Sequence, residues 1–170
     1  MNRVVTLLFM LLLLGATWIC AQAQRVPATP AQVVGGHFNS LNQRILEMAR
    51  DFPADKYTYR PTPEVRSFGE VIVHVLSGNV YAAKAGNGEN VTWDEIDPKT
   101  LQTKSQAVAA FEKSLADATA TLRQTPQERF TKTLEPWLSV IEHSAEHYGQ
   151  LVVYYRASGL VPPASRPKKP

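Results

Sequence analysis

The chain has 170 residues, of which 44% are hydrophobic and 19% are charged, and its formal net charge at pH 7 is +3. A domain of this length can bury a core without covalent staples, and the single cysteine, Cys20, excludes an internal disulfide. The basic excess is small and partly lies at the C-terminal end, in Arg166, Lys168 and Lys169. Without a basic stripe through the rest of the chain, the sequence argues against nucleic-acid binding.

Residues 1–23 have the pattern of a secretory signal peptide. A cationic start precedes an uncharged run over residues 4–19 and a small-residue cleavage site at residues 21–23. We therefore expect a mature protein that begins near Gln24, lacks Cys20, and is secreted or periplasmic. An uncleaved anchor is the alternative, but the apolar run is shorter than the roughly 20 residues of a spanning helix. No stable membrane span is expected after cleavage.

Two helices are predicted in the first half of the mature chain from their apolar periodicity and their end signals. The first begins at the N-cap Thr29, with Pro30 in its first turn, and ends before residues 52–53. The second begins at a capping box over residues 67–70 and stops around residues 86–88. A polar, proline-marked connector separates them.

Two further helices are predicted in the second half. The third ends near Pro126, and the fourth has Pro136 in its first turn and stops at Gly159. No alternating strand pattern competes with these segments. The four apolar stripes predict an all-α, antiparallel four-helix bundle over residues 24–163, followed by a basic, proline-rich tail over residues 164–170 that we expect to be solvated.

Three of the four histidines are placed as metal ligands would be. His143 and His147 are four residues apart, which puts their Cβ atoms about 5 to 6 Å apart on one helix face. His74 lies on the second predicted helix, and metal sites in bundles are built from side chains on facing helices. Three imidazoles are typical of a catalytic site that keeps a position open. Imidazole suits zinc, nickel, copper or iron, and zinc is the default.

Residues 143–147 also spell H-x-x-E-H, the inverted zinc-peptidase motif, in which the glutamate is the general base. The peptidases that this motif resembles need a carboxylate ligand further along the chain, and no Asp or Glu follows His147. The pattern therefore argues against a peptidase. Glu146 remains a base, a group that supports a ligand, or a solvated side chain.

Other polar residues near the predicted site have no assigned role. His37 lies beside the apolar stripe of the first helix. It either lines the pocket as a proton carrier or an extra ligand, or packs at the edge of the core. Gln150 shares the face of His143 and His147, and either orients a ligand's water or substrate or bonds a neighbouring helix. The catalytic candidates are thus Glu146, Gln150 and His37. Four residues before the second helix form a substrate mouth or merely pack in the loop: Tyr57, Tyr59, Arg60 and Arg66.

Three segments of the chain resemble the DinB-like (DinB/YfiT-type) family of metal-dependent four-helix-bundle enzymes. They are residues 60–74, residues 142–156 with their H-x-x-x-H motif, and residues 159–163. The resemblance covers nearly the whole mature chain and implies a divalent metal held by His74, His143 and His147. Characterised relatives include transferases and isomerases that use a low-molecular-weight thiol. Because such thiols belong mainly to reducing compartments, export weakens the thiol interpretation.

These patterns together predict an exported metalloprotein that acts as a metal-dependent hydrolase on a small molecule. With Cys20 removed and no serine in a nucleophile motif, the attacking group is expected to be water activated by the metal. Two alternatives stay open: a non-catalytic envelope protein that binds metal or a small ligand, and a thiol-dependent S-transferase. The sequence also leaves open a homodimer.

Overall fold

The computed structural model describes residues 27–167, so the predicted signal peptide and the last three residues lie outside the described part of the chain. Within that range the protein is helical and contains no strand. The predicted all-α bundle is confirmed, with one short helix, α4, that the sequence did not predict. The helices are α1 (Pro30–Asp51), α2 (Phe68–Gly86), α3 (Lys104–Gln124), α4 (Gln127–Lys132) and α5 (Leu134–Ala157).

The ends of the long helices follow the expected signals. Capping boxes begin α1 at Thr29, α2 at Ser67 and α3 at Thr103, each closed by reciprocal bonds with the residue three positions on. After α5, Gly159 adopts a φ of +74°, a left-handed conformation that favours glycine. The backbone N–H of Leu160 then donates to the carbonyl of Tyr155 and ends the helix.

Helices α2 and α3 both begin at the end of the bundle where α1 stops. The ring of Phe68, at the start of α2, stacks on Phe52 with 3.7 Å between ring centroids. The Nζ of Lys104, at the start of α3, donates to the Phe52 carbonyl at 2.8 Å. Helices α2 and α3 therefore run in the same direction, and both are antiparallel to α1.

Helix α5 runs parallel to α1 and antiparallel to α2. Its first turns place Trp137 against Phe38 of α1 and against Gly86 at the end of α2. Near its C-terminal end, the Tyr155 hydroxyl donates to the Met48 carbonyl of α1 at 3.0 Å. The helix directions are thus up, down, down, up, so the expected antiparallel pairing holds for α1 with α3 and for α2 with α5.

Because α2 and α3 are parallel, the connector over residues 87–103 must return along the length of the bundle. The 19 residues of α2 span about 28 Å. An extended chain covers roughly 3.3 Å per residue, so a connector of this length crosses that distance with slack. Apolar stripes do not encode direction, which is why the parallel pair was not predicted. We call residues 87–103 the crossover connector.

Most of the buried side chains in the core are aliphatic or aromatic. No helix in residues 27–167 is long and apolar enough to cross a membrane. Two aromatic clusters close the ends of the core, one around Trp137 and Phe38 and the other around Phe52, Phe68 and Tyr155, all fully buried or nearly so. His74 lies along α2 between these clusters, so the histidine site rests on a packed scaffold.

In the predicted tail, Arg166 is exposed to solvent and also pairs with a carboxylate. Its guanidinium forms two hydrogen bonds with the Asp51 carboxylate at the end of α1, the Nη1–Oδ1 distance being 2.7 Å. The hydrogen bond from Arg166 lowers the pKa of Asp51, against the opposing effect of its partial burial. A pair this exposed contributes little to stability, so it directs the tail more than it stabilises the fold. Lys168 and Lys169 lie outside the described residues.

Candidate metal centre

Two antiparallel helices bring the three predicted ligands together. His74 comes from α2, and His143 and His147 come from successive turns of α5. One ring nitrogen from each histidine lies within 4.8 Å of the other two, and the Nε2 atoms of His74 and His143 are 2.9 Å apart. Among the described residues this is the one group of its kind. The cluster is compatible with binding a metal ion.

The environment of the cluster favours the neutral form of two of its imidazoles, those of His143 and His74. Burial lowers the pKa of His143 to about 3, and the neighbouring charges of protonated His147 and His74 act in the same direction. Burial also lowers the pKa of His74, assisted by the positive charge of Arg66 and opposed by Glu95. A neutral imidazole is the form that binds metal. At neutral pH each of these two rings therefore has one unprotonated nitrogen.

In two of the three rings, the Nδ1 atom lies next to a side-chain oxygen. The Oε1 of Gln150 lies 2.7 Å from Nδ1 of His147 and accepts a hydrogen bond from its N–H, which leaves the lone pair on Nε2. The Oε1 of Glu95 lies 2.9 Å from Nδ1 of His74. The contact does not have the angle of a hydrogen bond, so Nδ1 of His74 has no hydrogen-bond partner among the described residues. Such oxygen partners are the usual neighbours of metal-binding histidines.

The third ring, His143, is covered by an aromatic residue of the crossover connector. The indole of Trp93 meets it edge to face at 4.7 Å and stacks on Tyr81 at 5.1 Å. Gly78 makes this approach possible, because a Cβ there would lie 2.7 Å from the indole and 3.5 Å from Nδ1 of His143. That Nδ1 is buried and has no hydrogen-bond partner among the described residues. Trp93 thus shields one side of the cluster from water.

The catalytic candidates fall in different places. Gln150 contacts the cluster through His147. Glu146 is exposed on α5, and His37 is exposed on α1 rather than packed at the edge of the core. Among the described residues neither Glu146 nor His37 forms a hydrogen bond or an ion pair with the three histidines, and their roles stay predictions.

The residues before α2 mostly support the fold. Tyr57 is buried and donates its hydroxyl to the Ala49 carbonyl at 2.6 Å, and Arg60 pairs with Glu70 of the α2 capping box. Arg66 is the exception, because its guanidinium reaches both carboxylate oxygens of Glu95 at 3.1 Å. The contribution of Glu95 was not predicted. Nothing in the loop sequence marks it, since its placement depends on the path of the crossover connector.

Fold and site together define an all-α bundle protein with a three-histidine centre between two antiparallel helices. The sequence model of the DinB superfamily matches residues 37–154, a range that contains all three histidines, Glu95 and Gln150. The chain belongs to the DinB superfamily. The resemblance found in the sequence is thereby confirmed. A comparison with curated proteins gives no match.

Proposed function

We propose that this protein is an exported metalloprotein whose three histidines bind one divalent ion, and that it hydrolyses a small molecule. Zinc is the default ion, with nickel or another first-row metal as alternatives. The observation that carries the proposal is the convergence of three ring nitrogens within 4.8 Å, two of them on rings contacted from behind by oxygen atoms. Three protein ligands are typical of catalytic rather than structural zinc sites.

The residues present fit such an ion in donor type and in the groups that support the donors. The donors are imidazole nitrogens, Gln150 fixes the tautomer of His147, and Trp93 limits water access from one side. When bound, a divalent ion supplies Lewis acidity, which lowers the pKa of coordinated water and polarises an electrophilic carbonyl. The chain would contribute a rigid set of ligands on two helices, with Gln150 and the exposed Glu146 as the nearest candidates for moving protons or orienting substrate.

The hydrolase proposal is tested on purified mature protein. Metal content is measured by mass spectrometry, and turnover of a panel of small chromogenic esters and amides is followed with and without chelator, and with and without added cysteine or glutathione. We expect about one ion per chain and turnover that needs the metal but no thiol. A reaction that is silent until a thiol is supplied, and then incorporates it into product, would show a transferase instead. Bound metal without turnover under any condition would favour a non-catalytic binding protein.

Export is a separate part of the proposal, and it depends on the pattern of residues 1–23. We expect the protein recovered from a periplasmic or secreted fraction to begin at or near Gln24. N-terminal sequencing of that fraction provides the measurement. Recovery of intact Met1 from the cell envelope would contradict the proposal and indicate an uncleaved anchor.

A further inference from the structure

The crossover connector brings an acidic side chain to the outer side of the histidine cluster. The Oε1 of Glu95 lies 2.9 Å from Nδ1 of His74, while the other ring nitrogen, Nε2, faces His143. Glu95 is not among the groups whose donor atoms converge within 4.8 Å. It therefore approaches the cluster from behind a ligand and is not itself a candidate ligand.

The backbone on both sides of Glu95 is fixed to α2. On one side, Trp93 packs on Gly78, which leaves room for the indole only because it lacks a Cβ. On the other side, the backbone N–H of Ile96 donates to the Ser77 hydroxyl at 3.0 Å. That hydroxyl in turn donates to the Val73 carbonyl at 2.9 Å. These contacts fix the position of the Glu95 backbone along the axis of α2, next to His74.

The Glu95 carboxylate also forms an ion pair with Arg66. Both of its oxygens lie 3.1 Å from Nη2 of Arg66, and the carbonyl of Arg66 accepts a hydrogen bond from the Tyr154 hydroxyl on α5. An ionised carboxylate can only accept hydrogen bonds. A proton between Glu95 and His74 must therefore belong to Nδ1 of His74. This arrangement leaves the lone pair of His74 on Nε2, toward the cluster.

We propose that Glu95 is a positioning residue that sets the tautomer and the ring orientation of His74, and through them the affinity of the metal centre. The inference rests on the proposed metal-binding function. The Oε1 of Glu95 is already within hydrogen-bonding distance of the Nδ1 of His74, at 2.9 Å. The competing role, a surface ion pair with Arg66 alone, would have little effect on anything but the local charge.

Two measurements on the mature protein test this role, with Glu95→Ala as the variant and Asp94→Ala as its control. Asp94 is the exposed neighbouring acid, so its replacement removes the same charge from the same connector. In the metal-free protein, nitrogen-15 NMR of the imidazoles reports which nitrogen of His74 carries the proton. We expect Nδ1–H in the wild type and in Asp94→Ala, and loss of that single tautomer in Glu95→Ala.

The second measurement is the affinity for Co²⁺, in competition with a chromophoric chelator. Replacing a residue that supports a metal ligand typically weakens binding about 10- to 100-fold, and we expect a loss in that range for Glu95→Ala only. His147→Ala distinguishes a failure of the metal centre from a failure of the role of Glu95. If it binds Co²⁺ as tightly as the wild type, the metal centre itself is wrong. If it loses the ion while Glu95→Ala keeps both full affinity and the wild-type tautomer, only the role of Glu95 is wrong.

Discussion

Replacing His147 by Ala should abolish stable binding of a divalent ion while the bundle stays folded. The substitution removes one of three converging nitrogens, and the two that remain, on His74 and His143, make an incomplete site. The His147 side chain is only half-buried, so its loss leaves the core intact. Metal content after dialysis, measured by mass spectrometry, should fall from about one ion per chain to near zero. Circular dichroism should show unchanged helicity.

His37→Ala is the matched control for this experiment. It makes the same chemical change at a histidine that is exposed on α1 and is not part of the convergent group. We expect its metal content to equal that of the wild type. If the His147 variant also retained the wild-type amount, the three-histidine centre would be refuted, whatever activity the protein showed.

The parts of this structure that were predicted from the sequence are those encoded locally. The helix start at Thr29 was predicted from an N-cap residue followed by proline, and the start at Ser67 from a capping box that is complete within four residues. The pairing of His143 with His147 was predicted because a four-residue spacing fixes a common helix face. The prediction that His74 joins these two histidines required one more premise, that α2 and α5 pack against each other. The apolar stripes and the family resemblance supplied it.

The parts that were not predicted depend on contacts between residues far apart in the chain. Glu95 reaches His74 because α2 and α3 run in parallel and the crossover connector must return past α2. Neither the parallel direction nor the path of the connector has a local signal. The same holds for Arg166, which pairs with Asp51 across more than a hundred residues. The exposure of His37 depends on such contacts as well, because a position next to an apolar stripe does not fix how far a side chain is covered.

The scaffold beneath the site can be tested at Trp137, the largest fully buried side chain among residues 27–167. The ring meets Phe38 edge to face at 5.5 Å and covers Gly86, so it joins α5 to both α1 and α2. Truncation of a buried Trp to Ala loses apolar area and leaves a cavity, at a cost of about 3 to 5 kcal/mol. Stabilities of domains are only about 5 to 15 kcal/mol. We therefore expect Trp137→Ala to lose a large fraction of the free energy of unfolding.

Chemical denaturation with urea, followed by circular dichroism at 222 nm, measures this loss, and Val153→Ala serves as the control. Val153 lies on the same helix but is 57% exposed, so its truncation should change the free energy of unfolding by less than about 0.5 kcal/mol. Gly86→Ala tests the same contact from the other side. Its new Cβ would lie 2.5 Å from the Trp137 ring, and the crowding should cost about 1 to 3 kcal/mol. If Trp137→Ala were no less stable than Val153→Ala, the packing of α5 against α1 and α2 would be wrong, and with it the arrangement that places His143 and His147 opposite His74.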